Sequence, residues 1–193
     1  MPITTTADLR KSGLSSREIL RRCLPSGPWQ FLLPGVVLQK PSPPTRLDRL
    51  HAALSYAGPS SVITGTDALT RQGARLPLPR HIHVLGTQNT RRSHPNLLLE
   101  RTTRPPTVIH HDGLRLASPA RATLDLTRRE QDARAVVAAL DAVVAAGLCT
   151  PRDLHEELEL SPRRGTALVR QALQHLYPLP LSAPTSDCPD GSR

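Results

Sequence analysis

Between Thr6 and Leu38 the chain reads TADLRKSGLSSREILRRCLPSGPWQFLLPGVVL, and few folds accept what this stretch demands within so short a span. The hydroxyl of Thr6 can cap a first helix running through Ala7, Asp8, Leu9 and Arg10, with Asp8 at its positive end. Gly13 supplies the residue type that enters a left-handed turn without steric cost, and helical periodicity restarts from Leu14 to Cys23. Ser15 and Glu18 have the spacing of a capping box, so Gly13-Leu14-Ser15 reads as a turn between two helices. After the breakers Pro25-Ser26-Gly27-Pro28, the runs Trp29 to Leu33 and Val36 to Leu38 flank Pro34-Gly35 as a hairpin. Two helices around a tight turn, followed by a hairpin, make a winged helix-turn-helix, whose second helix is the size of a DNA major groove.

On that second helix Ile19, Leu20 and Cys23 are expected to pack inward, leaving Ser16, Arg17 and Arg21 on a free face. Guanidinium groups donate in a fixed fork that suits guanine edges and phosphate oxygens. Arg10, Lys11, Arg17, Arg21 and Arg22 against Asp8 and Glu18 give the segment a surplus of three positive charges. Trp29, the single tryptophan, is expected to plug the hairpin onto the helices rather than to touch a base.

Composition supports this direction. A net charge of +9 favours a polyanionic partner, of which nucleic acid is the commonest for a basic domain. Aromatic residues are only 2%, which disfavours stacking platforms for single-stranded bases and leaves a core of aliphatic residues. The chain has no run of about 18 apolar residues that would span a bilayer, and its N-terminus lacks the apolar core of a secretory signal. Cys23, Cys149 and Cys188 are odd in number and widely spaced, arguing for a reducing, cytoplasmic setting and against a disulfide framework.

Beyond the first module, residues 41–45 read as a proline-rich linker. A mixed unit over 46–128 is expected to hold a helix from Arg46 to Ala57, a strand at Val62-Ile63, a helix from Thr66 to Gln72, strands at His81–Leu85 and Asn96–Arg101, and a hairpin of Thr107–His110 with Leu114–Ala117. Asp112-Gly113 is the strongest hairpin signal in the chain. Ser118-Pro119 opens a helix to about Arg128. Residues 129–177 read as helical, with helices from Asp132 to Ala146, from Arg152 to Leu160, and from Ser161-Pro162 to about Tyr177. Residues 178–193 lack period and core residues and are expected to be disordered. The expected class is α+β: an N-terminal winged helix-turn-helix (residues 1–40), then the mixed α/β domain and C-terminal helices.

Four segments together carry a family resemblance: LRKSGLSSREILRRCLPSGPWQFLLPGVVL, VITGTDALTRQG followed by HIHV, DGLRLASPARATLDLTRR, and LCTPRDLHEEL. In these the chain, from about Thr6 to Leu173, resembles the AbiEi-type antitoxins of type IV toxin-antitoxin systems and their solitary actinobacterial relatives. The wing ending PGVVL and the SPARATLDL segment are its most specific pieces. The resemblance implies an operator-binding winged helix, often on inverted repeats, followed by a domain that antagonises a nucleotidyltransferase-like toxin without forming a tight complex. Position by position it points to Ser16, Arg17, Arg21 and Arg22 as DNA contacts, with Arg10 and Lys11 adding basic charge nearby. Val37 stands where relatives commonly have an aromatic residue, and Gln30 where a basic one is frequent. Longer relatives append an endonuclease-like domain after the helical region, and nuclease chemistry is not implied for this stretch.

Motifs of enzymes are absent: there is no Walker loop, dinucleotide fingerprint, G-x-S-x-G or H-E-x-x-H. His81 and His83 would share one strand face, with His110 and His111 on a neighbouring segment, yet no cysteine or carboxylate stands at ligand spacing, so neither metal nor cofactor is expected. Asp125 and Asp141 are expected in surface or capping roles. The functional expectation is a non-enzymatic, DNA-binding, antitoxin-like transcriptional regulator. The alternatives are a protein-interaction module that does not bind DNA, and a truncated relative of an endonuclease-bearing protein.

Overall fold

The computed structural model describes residues 2–86 and 93–178 and is an α+β fold of two sheets and eight helices among those residues. The expected disorder beyond Pro178 falls outside the described residues. A three-stranded antiparallel sheet is ordered β1-β3-β2, from β1 (Ile3–Thr5), β2 (Gln30–Leu33) and β3 (Val36–Leu38). The strand β1 has no counterpart in the sequence expectation. Three residues carry no readable alternation, and their pairing partner, β3, lies more than thirty positions away. The β2–β3 turn is Pro34-Gly35, where Gly35 takes φ +74°, a conformation that a side chain would strain.

Each face of β3 is covered. Val37 packs with Leu9 and Ile19 against Leu14, Cys23 and Trp29, which encloses α1 (Thr6–Lys11) and α2 (Ser16–Arg22). Val36 and Leu33 belong instead to the main core, with Leu50, Ala53 and Leu54 of α3 (Arg46–Ala57). Consecutive Ala52, Ala53 and Leu54 are all buried, which a helix achieves only when covered on more than one side. Both sheets pack against α3. Its start is fixed by a capping box in which Thr45 and Asp48 bond reciprocally, and Lys40 lies 2.8 Å from the Asp48 carboxylate.

The second sheet is mixed and ordered β6-β5-β4-β8-β7. Its strands are β4 (Val62–Thr64), β5 (Ile82–Gly86), β6 (Leu97–Arg101), β7 (Val108–His111) and β8 (Leu114–Ala117). Every residue of β4 and β5 is buried, as expected for central strands covered on both sides. The hairpin signal at Asp112-Gly113 is realised with φ of 51° and 72° at the two turn positions, the geometry of a type I′ turn. Arg46 of α3 grips Asp67 of α4 (Gly65–Arg71) with two bonds of 2.8 and 2.6 Å.

The remaining helices are α5 (Pro119–Thr127), α6 (Ala133–Ala145), α7 (Pro151–Glu159) and α8 (Ala167–Leu176). Leu124, Val136, Leu140, Leu154, Leu158, Val169 and Leu173 form their common core. Three helix starts differ from expectation. Thr5, not Thr6, caps α1, accepting from the Asp8 amide at 3.1 Å, because Thr6 is drawn to the hairpin by an amide bond to the Gly35 carbonyl. Pro119 does open α5, but Ser118 makes no side-chain cap bond. The last helix begins at Ala167 rather than at Ser161-Pro162. There the Ser161 hydroxyl donates back to the Glu157 carbonyl of α7, and Gly165 at φ +79° turns the chain first.

The largest correction concerns Asp125, which is buried at 1% exposure rather than at the surface. It accepts from the Thr64 hydroxyl on β4 at 2.8 Å and from Arg121 one turn earlier, at 3.1 Å. Removing one partner of a buried pair leaves a charge without compensation and costs about 3–5 kcal/mol, so this contact ties α5 to the sheet. Beside it, His83 of β5 is buried with Nε2 2.9 Å from Glu100 of β6. His81 lies before the strand, exposed, so the two histidines do not share a face.

Burial pushes His83 down to about 4 despite the nearby Asp125, with Arg129 and Arg128 adding to the shift. It is therefore neutral at pH 7 and donates to the Glu100 carboxylate. Because the folded chain binds this proton less readily than the unfolded chain, the contribution is complete above pH 6.5 and is lost as pH falls toward 4. Urea denaturation across this window should show a loss on the order of 2–3 kcal/mol, diminished in His83→Gln. An identical pH slope in both proteins would remove His83 as its origin.

Candidate nucleic-acid interface

The α1–α2 turn is built by local bonds. The amide of Gly13, at φ +97°, donates to the Arg10 carbonyl at 3.0 Å, and the amide of Leu14 donates to Leu9 at 3.1 Å, the paired bonds of a Schellman motif. Ser15 then caps α2 through its hydroxyl, which accepts the Glu18 amide at 3.1 Å. The reciprocal half of the expected capping box is not made. The Glu18 carboxylate turns instead to the following turn of its own helix, where it takes a fork from Arg21 at 3.0 and 2.8 Å and a further bond from Arg22 at 2.8 Å. These donors hold its carboxyl down to about 2, the Arg21 bonds contributing most.

The expected contact residues therefore divide. Arg17 and Ser16 are exposed, and Arg17 has no ion-pair partner among the described residues. Arg21 remains 71% exposed while forked on Glu18. Arg22 is more covered: it bonds Glu18 and lies 4.7 Å over the Trp29 ring, a cation-π contact that makes it part of the support of α2. On α1, Arg10 is exposed and donates to the Thr6 carbonyl at 3.3 Å, and Lys11 stands 3.6 Å from Asp8. Arg17 and Arg21, four residues apart, share one face of α2.

Leu20 corrects the expected packing face. Ile19 is buried at 3% exposure, but Leu20 is 61% exposed, and Leu24 beyond the helix is 52% exposed. One step along a helix rotates a side chain by about 100°, so Ile19 and Leu20 cannot both face a narrow core. Leu20 thus lies on the free face beside Arg17, on the side away from Arg21, an apolar group of the kind that contacts thymine methyls. Trp29 packs against the helices as expected. Val37 and Gln30 of the hairpin have structural duties. Val37 is fully buried, and the Gln30 amide donates to the Lys40 and Ser42 carbonyls at 3.0 and 2.8 Å, strapping β2 to the segment that leads into α3.

Among the described residues no helix is long and apolar enough to cross a membrane, and no group of three or more His, Cys, Asp or Glu side chains could hold a metal ion. Sequence reasoning missed the buried cluster around Asp125. Its available signal was an Arg and an Asp four residues apart, Arg121 and Asp125, on an otherwise uncharged helix.

A carbon-detected pH titration of Glu18 should place its midpoint near 2, and Arg21→Ala should move it toward 4.5 further than Arg22→Ala does. The opposite ranking would show that Arg22, not Arg21, is the main partner.

Comparison with known proteins places this arrangement. No curated protein sequence matches the chain. The crystal structure of the RV2827C protein from Mycobacterium tuberculosis superposes with a TM-score of 0.61 over 90% of this chain and 72% of that one, at 15% identity, a likeness of fold. The model of the AbiEi antitoxin C-terminal domain matches residues 63–176, from β4 through α8. The chain belongs to the AbiEi antitoxin family.

Proposed function

We propose that the chain is a DNA-binding, antitoxin-like transcriptional regulator, with α1, α2 and the β2–β3 hairpin acting as a winged helix-turn-helix that reads duplex operator DNA. One observation carries this reading: α2 presents Arg17 and Arg21 to solvent on a helix capped at Ser15 and backed by Ile19 and Trp29. A base-reading side chain needs such a rigid support and a free guanidinium fork. Arg21 reaches a base or phosphate by exchanging Glu18 for it, which costs little because the pair is exposed. Arg17 needs no exchange. Arg10 and Lys11 add positive charge from α1, and Ser16 stands at the helix start as a polar contact. The hairpin is short, with a two-residue tip and its central strand buried, so its share in DNA contact is small. Inverted repeats in the chain's own promoter are the operator form that its relatives suggest.

Binding to a duplex from that promoter should weaken as salt rises, and Arg17→Ala with Arg21→Ala should cost about 2–4 kcal/mol together, as read by fluorescence anisotropy. Equal affinities of the double variant and the native chain would reject α2 as the reading helix.

The second half of the proposal is antagonism of a nucleotidyltransferase-like toxin without a tight complex, supported by family membership across residues 63–176. Co-expression with such a toxin encoded beside the gene should restore growth while the two proteins separate on affinity purification. Failure to restore growth would refute the antagonism, and a stable complex would refute its mode.

A further inference from the structure

Arg121 of the SPARATLDL segment, which the proposed DNA reading does not use, lines a cleft. The cleft has a volume of about 440 Å³ and lies between the end of β6, the loop after it, α5 and the end of α7. Four of its lining side chains are arginines: Arg101, Arg104, Arg121 and Arg128. Arg121 is itself buried at 6% exposure, and Thr102 accepts from it at 3.3 Å.

These guanidiniums are held by fewer carboxylates than they need. Glu157 pairs with Arg104 and lies 3.9 Å from Arg121. Asp125 pairs with Arg121 and lies 3.6 Å from Arg128. Glu100 takes both Arg128 and Arg129. Arg101 has no ion pair with any described residue. Among the described residues five guanidiniums, the four of the cleft and Arg129 outside its lining, thus share three carboxylates, of which Glu100 also lines the cleft, and His83, the remaining titratable neighbour on β5, is neutral and supplies no negative charge. A network that served stability alone would gain from balance, since like charges brought together out of water repel. The repulsion registers at Arg104 and Arg128, both pushed below the usual arginine value by burial and then by a neighbouring arginine, Arg121 and Arg129 respectively.

We propose that this cleft binds the terminal phosphate of a small phosphorylated ligand, with Arg101 as its exposed donor, half-buried Arg104 beside it, and Arg121 and Arg128 as its fixed floor. A phosphate dianion carries the charge that the surplus of two requires, and arginine forks match its oxygens in pairs. The Thr103 hydroxyl, exposed on the lining loop, adds a donor. The space is much larger than a bare phosphate, leaving room for an organic group against Leu160 and Pro162 at the other wall. No aromatic side chain lines it, so recognition is of phosphate and not of a stacked base.

The test uses the full chain and inorganic phosphate and pyrophosphate as probes, followed by thermal unfolding at constant ionic strength set with chloride. A ligand that binds only the folded state raises Tm with concentration. The native chain should rise with pyrophosphate well beyond an equal ionic strength of chloride. Arg101→Gln, which breaks no ion pair, should keep the unliganded Tm and need at least fivefold more pyrophosphate for the same rise, while the Arg17→Ala, Arg21→Ala double variant should respond as the native chain does. A duplex without terminal phosphates should not suppress the pyrophosphate response. Pyrophosphate acting no differently from chloride, or an unchanged response in Arg101→Gln, overturns the site. Suppression by the duplex overturns the small-ligand assignment and makes the cleft part of a DNA backbone track.

Discussion

The alternation of a β-strand sends Val37 toward one helix pair and Val36 toward another core, and through this the N-terminal helix pair depends on the rest of the molecule. The cluster around α1 and α2 holds three buried apolar residues among the described residues, Leu9, Ile19 and Val37, with Leu14, Cys23 and Trp29 partly covered around them. So small a cluster cannot offset the ordering of some forty residues by itself. The opposite face of the same sheet, with Leu33 and Val36, is sealed by α3 and shares the main core. The orientation of α2 is therefore set by the packing of α3 between the two sheets. The bonds from Gln30 to the segment after β3 and from Lys40 to Asp48 restrain the same junction.

Electrostatics divides the molecule in a similar way. A charge of +9 says that a polyanion is attracted but not where. On α2 the two basic residues after Glu18 are partly neutralised by it, and Arg22 is further committed to Trp29, so the free positive charge there is concentrated at Arg17 and on the outer side of Arg21. In the family domain the arginines are drawn together around Asp125, Glu100 and Glu157, out of reach of most water. Surface charge of the first kind acts through long-range attraction and is screened by salt, whereas partly buried charge of the second kind acts by direct contact.

What was legible in the sequence was local. The turns at Gly13, Pro34-Gly35 and Asp112-Gly113 are dictated by residues that accept a left-handed backbone, and they stand where the pattern put them. The cap at Ser15 is local too. Errors arose where a distant partner decided the outcome. Thr6 lost its capping role to Thr5 because Gly35 draws its amide. Ser161-Pro162 is the local exception: it has the composition of a helix start, but the serine hydroxyl donates to the Glu157 carbonyl four residues back and so finishes α7. Asp125 read as a surface carboxylate because its partner Thr64 lies 61 residues away on a strand that only the folded sheet brings near.

The candidate contacts follow the same division. Arg17 and Arg21 were readable from helical spacing, since exposure on one face is a property of a single helix. Leu20 was not: on a seven-residue helix the apolar arc is narrow, and whether Leu20 or Cys23 completes it depends on where Trp29 and Val37 arrive. They arrive on the Ile19 side. The choice leaves an apolar side chain in water beside Arg17, forgoing the gain that burying it would bring. A surface that pairs guanidinium forks with a methyl-bearing group has the two chemistries needed to separate guanine from thymine in a major groove, which the charge alone does not provide.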